Sequence, residues 1–410
     1  MLNVGIVFGG VSPEHEVSII TAMQVAASLD REKYRPVPVY LAKDGNSYTG
    51  PNLFNVEVYK DLETLLLIAQ QVHLQAGESG NVELVATVPK GWFGQQLQRI
   101  ELDVLFLALH GGEGENGSVQ GICELYDVPY TGSGVLGSAL GMDKVLSKMV
   151  CRDQGIPVVD FVSLREKDWA DKEEVVLDDL EKKLGYPVVV KPARLGSSIG
   201  ISKAADRSSL DAAIEEAFRY DEKIVIEQAV QNLKEINCSI LGDVNQAIPS
   251  ILEQPLTGEE LLTYQEKYMR GDSGGEGAKA AGSKGSATGG SSGMASLDRI
   301  IPAPISEEQT AYIQDLAVRI FQLFECAGLA RIDFMIDEAT NKVYFNEINT
   351  IPGSFSFYLW EPTGIPFQEL THRLIEIADR QNKKKRQRVR SYDVNLLAMH
   401  TTGSKSGVKV

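Results

Sequence analysis

Two carboxylates, an amide and a guanidinium recur at alternate positions in Arg331-Ile332-Asp333 and Glu347-Ile348-Asn349. Both stretches sit in runs that alternate polar and apolar residues, and Glu338-Ala339-Thr340-Asn341 between them has a turn composition. That pattern predicts an antiparallel hairpin. With the turn centred on Thr340, Asp333 faces Glu347 and Arg331 faces Asn349. Side chains alternate with period 2, so all four share a face. Opposed acids repel, and a cation between them removes the conflict. An all-oxygen donor set of Asp333, Glu347 and Asn349 favours Mg²⁺ carrying substrate phosphates. The competing reading is an ordinary ion pair of Arg331 with Asp333 or Glu347 on a wet face. A register slip of one residue would turn every side chain to the other face.

A second group could hold phosphate. Lys191-Pro192-Ala193-Arg194-Leu195-Gly196-Ser197-Ser198-Ile199-Gly200 follows a strand-like run. A strand-end lysine and a Gly-Ser-Ser turn offer charge, hydroxyls and backbone N–H groups. The lysine precedes the glycines, so this is not a Walker-type loop. Lys144 is a second candidate cation. Glu227-Gln228-Ala229-Val230 could present backbone groups to a base, and Glu235 could accept from ribose hydroxyls. Phe8-Gly9-Gly10-Val11-Ser12 lacks the G-x-G-x-x-G spacing of a dinucleotide fold.

The elements that must carry these residues alternate between strand and helix. Val4–Phe8, Val37–Leu41 and the continuous apolar run Leu102–Leu109 read as strands of an open, parallel α/β sheet, with a helix over about 16–29. Pro187–Lys191 and Ile224–Gln228 read as strands of a second region, with a helix at Leu210–Phe218. The expected division is 1–133, 134–231 and 232–382, followed by a basic tail over 383–410. The run Arg380, Lys383, Lys384, Lys385, Arg386, Arg388 and Arg390 reads as a solvated end. The Gly/Ser/Ala-rich insert Gly271–Gly293 cannot build a core and reads as a solvated loop or part of a lid.

Composition excludes several classes. The chain has 410 residues and a formal net charge of −16. Such an acidic surface is a poor non-specific partner for nucleic acid or anionic membrane. Cys123, Cys151, Cys238 and Cys326 are scattered, with no C-x-x-C pair, so neither a disulfide scaffold nor a zinc ribbon is expected. With no signal-peptide pattern at the N-terminus, the expected compartment is the reducing cytoplasm.

Taken in order, these motifs resemble the D-alanine–D-alanine ligases of the ATP-grasp superfamily. The resemblance rests on Gly9-Gly10-Val11-Ser12-Pro13-Glu14-His15-Glu16-Val17-Ser18, Leu109-His110-Gly111-Gly112-Glu113-Gly114-Glu115-Asn116-Gly117 and Pro129-Tyr130-Thr131-Gly132-Ser133-Gly134. It continues through Met142-Asp143-Lys144, Gln265-Glu266-Lys267-Tyr268 and Asn346-Glu347-Ile348-Asn349-Thr350-Ile351-Pro352-Gly353. It implies an α/β, ATP-grasp fold of three domains and a D,D-dipeptide made from two D-alanines through an acyl phosphate, for peptidoglycan precursors. ATP is then a co-substrate and two Mg²⁺ (or Mn²⁺) the metal, with a homodimer as the family assembly.

By the same resemblance, Lys144, Lys191, Ser198 and Lys267 meet phosphate, Glu227, Gln228 and Val230 adenine, and Glu235 ribose. Glu14 takes the donor ammonium within a Glu14–Ser197–Tyr268 set, and Arg331 with the Gly353 N–H meets the tetrahedral oxyanion. His110 and Tyr358 are candidate substrate contacts. The chain departs from the family pattern at three places. Asn116 stands where an aspartate is common, and Tyr358 where a serine reaches the acceptor carboxylate; the Gly271–Gly293 insert is long. D-serine or D-lactate as acceptor, and nucleotide binding without turnover, are the alternative functions.

Overall fold

The computed structural model describes residues 1–77, 81–90, 94–256 and 299–390. Lys267, Tyr268 and the Gly271–Gly293 insert lie outside the described residues.

Three sheets carry the site. The first holds β1 (Leu2–Gly9), β2 (Tyr34–Leu41), β3 (Ser47–Thr49), β4 (Gln70–Ala76), β5 (Val82–Lys90), β6 (Gly94–Leu102) and β7 (Val104–Leu107), in the order β6-β5-β4-β3-β2-β1-β7. Only β1 runs parallel to its neighbours β2 and β7; β2 through β6 pair antiparallel. The sheet is therefore mixed rather than parallel. The run Leu102–Leu109 is also two strands, not one. The chain breaks at Asp103, whose carboxylate accepts from the Asn3 backbone N–H at 2.7 Å. A polar side chain that takes a ladder donor ends the strand there.

The second sheet contains β8 (Phe161–Arg165), β9 (Val188–Pro192), β10 (Ser202–Ala204) and β11 (Lys223–Gln228), in the order β10-β9-β11-β8. The third contains β12 (Leu233–Gly242), β13 (Ala247–Pro255), β14 (Arg299–Ile300), β15 (Gly328–Asp337) and β16 (Lys342–Asn349), in the order β14-β13-β12-β15-β16.

Burial ties the first and third sheets together. Phe8 and Phe106 belong to the same hydrophobic cluster as Phe355, Trp360 and Leu374. The segment after β16 therefore packs on the N-terminal sheet, which fixes the loop beyond Asn349 against the ends of β1 and β7. The basic run is not a free tail. It closes the helix Phe367–Arg386. Lys385 pairs with Glu124, and Asp127 receives Arg386 at 3.0 Å and Arg390 at 2.8 Å. Cations in a last helical turn also complement the helix dipole.

Candidate active site

One transverse row crosses the third sheet. Glu253 on β13 is in register with Asn237 on β12, Asn237 with Asp333 on β15, and Asp333 with Glu347 on β16. Directly opposed residues share a face. The adjacent row holds Ser239, Arg331 and Asn349. The expected pairs Asp333–Glu347 and Arg331–Asn349 are both present.

Arg331 does pair with Asp333, through Nε at 2.7 Å and Nη2 at 2.8 Å, and Asn349 Nδ2 donates to the same carboxylate at 3.0 Å. The face is not wet, however: the Arg331 and Asp333 side chains are 12% and 13% exposed. Burial pushes the Asp333 carboxyl above its ordinary value; Arg331 opposes this, while Glu347 and Glu253 add to it. A carboxylate disfavoured by two acidic neighbours is a place where added positive charge is stabilised. Among the described residues no three His, Cys, Asp or Glu side chains cluster as metal ligands. The donor set is instead two carboxylates and the Asn349 amide, which suits a hard cation that keeps part of its water or phosphate shell.

Beyond Asp333 the register shifts by one, leaving Asn346 as the extra residue of a bulge. A bulge re-aims side chains, and here it delivers Asn346 to the second sheet. Lys191 Nζ donates to Asn346 Oδ1 at 3.1 Å, and Lys148 Nζ donates to the Asn346 carbonyl at 2.7 Å. Both ammoniums also meet Glu227, at 2.8 Å and 3.1 Å. Burial would raise the Glu227 carboxyl, but the two lysines outweigh it and hold it at about 2. Burial lowers Lys148, with Glu227 opposing; for Lys191 the pull of Glu227 overcomes burial and the shift is upward.

Lys144 is aimed by its helix. Asp143 caps the helix Lys144–Asp153 by accepting from Val145 N at 3.1 Å and Leu146 N at 3.0 Å, and it is anchored by Lys223 of β11. Lys144 Nζ then donates to the Leu195 carbonyl at 2.7 Å and lies 3.3 Å from Glu347 Oε2. Lys144, Glu347 and Asn349 line one cavity with Glu14, Glu115 and Ser197.

Ser197 Oγ donates to Glu14 across this cavity. Ser197 and Ser198 both take left-handed backbone, at φ 53° and 59°. Glu115 accepts from Gly111 N at 2.7 Å and Ile351 N at 3.1 Å. Removal from water, and then Glu14, push its carboxyl up to about 8. Two acids facing one cavity make a site for an ammonium group.

A scan against protein families matches residues 3–133 to the D-ala D-ala ligase N-terminus and residues 150–283 and 292–376 to its C-terminus. The D-alanine–D-alanine ligase of Thermosipho africanus is 38% identical over 396 residues, covering 97% of this chain and 98% of that protein. The chain belongs to the D-alanine–D-alanine ligase family. The solved ligase of Coxiella burnetii superposes with TM-score 0.74 at 28% identity, over 94% of this chain and 96% of that one. That of Bacillus anthracis, complexed with ATP, superposes with TM-score 0.63 at 25% identity, over 94% and 100%. These neighbours have the ATP-grasp fold.

Within this ligase-family chain, Glu227, His110 and Asn116 are placed by their hydrogen bonds and ion pairs. The Glu227 side chain is 3% exposed and turned onto Lys148 and Lys191. His110 has both ring nitrogens engaged. Nδ1 lies 2.9 Å from the Ile351 carbonyl and must donate, while Nε2 accepts from Thr21 Oγ1 at 2.8 Å. Burial lowers this imidazole to about 4, consistent with the neutral tautomer. It braces the loop after β16 against the helix His15–Ser28. Asn116, the departure from the family aspartate, accepts from Ser118 N at 3.0 Å at the start of the helix Ser118–Tyr126.

Glu235 lies on the Asn237 face of β12, two residues along. Gly353 opens a turn in which Ser354, Phe355 and Ser356 all have left-handed φ, at 52°, 51° and 46°. Such residues cost roughly 1–2 kcal/mol each, and buried Phe355 is the packing that offsets this. Sequence reasoning missed Lys148, Asn237, Glu253 and Arg299. The alternation Glu235, Asn237, Ser239 was the available signal for Asn237; nothing local marks the others.

Proposed function

We propose that the chain joins two D-alanines at the expense of ATP for peptidoglycan precursor synthesis. One observation carries this reading: Lys144 and Lys191 converge on the acidic strand β16, with the Glu14–Ser197 pair across the same cavity. A polyphosphate on the lysines and an amino acid held by Glu14 would then lie side by side.

A donor carboxylate oxygen attacks the γ-phosphorus of ATP, the bond to ADP breaks, and an acyl phosphate results. The acceptor amine attacks the acyl carbon, phosphate leaves, and the amine gives up a proton. Lys144, Lys191 and Ser198, with Lys267 from outside the described residues, neutralise and cradle phosphate. The strand end carrying Glu227, Gln228 and Val230 borders adenine, with Glu227 contributing its backbone, and Glu235 borders the ribose. Glu14, with Ser197 and Tyr268, holds the donor, and Arg331 with the Gly353 N–H stabilises the oxyanion. Two magnesium ions on Asp333, Glu347 and Asn349 would supply Lewis acidity and neutralise phosphate charge.

The three domains proposed are 1–133, 134–231 and 232–382. Among the described residues no helix is long and apolar enough to cross a membrane. The four cysteines are buried and unpaired, which fits the cytoplasm proposed for it. A homodimer is the proposed assembly, read by sedimentation.

Incubation with Mg²⁺, ATP and D-alanine should yield equal phosphate and D-alanyl-D-alanine. Phosphate without dipeptide overturns the reading. D-serine and D-lactate in the same assay decide between the acceptors.

A further inference from the structure

The Gly-Ser-Ser loop stands on two feet, and one short turn before β11 holds both. At the entry, the Asp221 carboxylate accepts from Arg194 N at 2.8 Å, Nε at 3.2 Å and Nη2 at 2.6 Å, and from Lys223 N at 3.0 Å. Ala193 N donates to the Lys223 carbonyl at 3.0 Å. At the exit, Gly200 has φ +70°, and a methyl group there would lie 2.7 Å from the Tyr220 ring and 2.9 Å from Pro192. Lys223 also pairs with Asp143, which caps the helix of Lys144. The Asp221 side chain is 5% exposed. None of Tyr220, Asp221 and Lys223 lines the cavity shared by Lys144, Glu347 and Glu14.

We propose that this turn, over 220–223, sets the position of the Gly-Ser-Ser loop, with Asp221 a positioning residue that acts on ATP through Ser198 and on the donor amino acid through Ser197. This rests on the ligase reading. The loop does not hold itself. Ser197 and Ser198 are left-handed, and such backbone persists only where its surroundings over-determine it. The loop's internal backbone hydrogen bond, from Ile199 N to Gly196 O, is 3.2 Å long. Its contacts across the cavity are to groups that ligands claim: Ser197 donates to Glu14, and Lys144 Nζ donates to the Leu195 carbonyl. A donor ammonium on Glu14 and a phosphate on Lys144 compete for both. The two feet are what keeps the loop placed while substrates come and go. The Arg194 fork on Asp221 suits this task, because two charge-assisted bonds fix direction as well as distance.

The test uses the full-length enzyme with ATP, Mg²⁺ and D-alanine. Asp221→Asn keeps the size of the side chain and removes its charge. It should raise the ATP KM and the donor KM about 10- to 100-fold, the scale of a small misplacement caused from outside the site. Phosphate should then exceed dipeptide, because a displaced loop admits water to the acyl phosphate. Adding Ser198→Ala to Asp221→Asn should raise the ATP KM by less than Ser198→Ala does alone, since both act through one loop. Arg194→Lys keeps the charge and loses the fork, and should shift both KM values the same way by less. Glu222→Gln is the control: Glu222 is 64% exposed and meets Arg194 at 3.3 Å on the rim, so both KM values should stay unchanged. A lowered melting temperature in Asp221→Asn and Arg194→Lys with unchanged KM values and equal phosphate and dipeptide would overturn the proposal, as would full additivity with Ser198→Ala. Absence of dipeptide from the unaltered enzyme would overturn the ligase reading alone, since calorimetry of Mg²⁺ and ATP binding to Asp221→Asn still reports the loop.

Discussion

Lys191 Nζ stands 3.1 Å from Asn346 Oδ1, and Asn346 is the residue that the bulge adds to β16. The second and third sheets meet there through one side chain from each. Lys148 seals the junction from the helix Lys144–Asp153, fully buried between Glu227 and the Asn346 carbonyl. The phosphate-type lysine and the metal-type strand are thus held in one frame.

Substitutions in this frame should separate by charge balance. Lys148→Met leaves Lys191 and Glu227 as a neutral pair and is expected to cost little stability while raising the KM for ATP. Glu227→Gln leaves two buried ammoniums facing each other without the carboxylate that touches both. Loss of one partner of a buried pair typically costs about 3–5 kcal/mol. Thermal melts of the two variants should therefore differ clearly, with Glu227→Gln far below Lys148→Met. Equal melting temperatures would contradict the shared role of Glu227.

Asp333→Asn keeps the shape of the row and removes one of its charges. Turnover should fall by at least about 100-fold, the scale of losing one transition-state electrostatic contact. The apparent Mg²⁺ requirement should rise in the same variant. Phosphate release across a Mg²⁺ titration measures both, and an unchanged Mg²⁺ dependence would count against metal at this row.

His110 makes a pH prediction with a definite sign. Its folded value, about 4, lies below the ordinary 6.5. The unfolded chain therefore binds the extra proton first as pH falls. The neutral ring contributes its full stability above about 6.5, and that contribution is lost progressively down to about 4. At about 1.4 kcal/mol per unit the loss is roughly 3 kcal/mol. Glu115 has the opposite sign, since its raised value favours the folded state less as pH rises from about 4.5 towards 8. The comparison is thus between the native protein and His110→Asn, by urea unfolding at pH 7 and pH 4.5. The difference between them should shrink at the lower pH.

Gly111 borders the Glu14 end of the cavity. A methyl group there would lie 2.5 Å from Glu14 Oε2 and 2.6 Å from Ser12 Oγ, and its φ is +67°. Gly111→Ala should push the Glu14 carboxylate aside at a backbone cost of about 1 kcal/mol. Donor KM should rise several-fold with ATP KM unchanged. A rise in ATP KM alone would place Glu14 elsewhere in the reaction.

The sequence alone determined the chemistry-bearing hairpin. Period-2 alternation and one turn were enough to oppose Asp333 to Glu347 and Arg331 to Asn349, because strand register is a local property. It also determined the lysine and Gly-Ser-Ser loop and the family they belong to. Tertiary structure decided what the strands face. The bulge at Asn346, the burial of Lys148 and the convergence of Glu253, Arg299 and Tyr358 join positions up to 198 residues apart, such as Lys148 and Asn346. No local period encodes such partners. The inward turn of Glu227 follows the same logic: its strand put it at the right place, but two distant ammoniums chose where its carboxylate points. Burial is set by the whole fold, and with it the cost of leaving a charge alone.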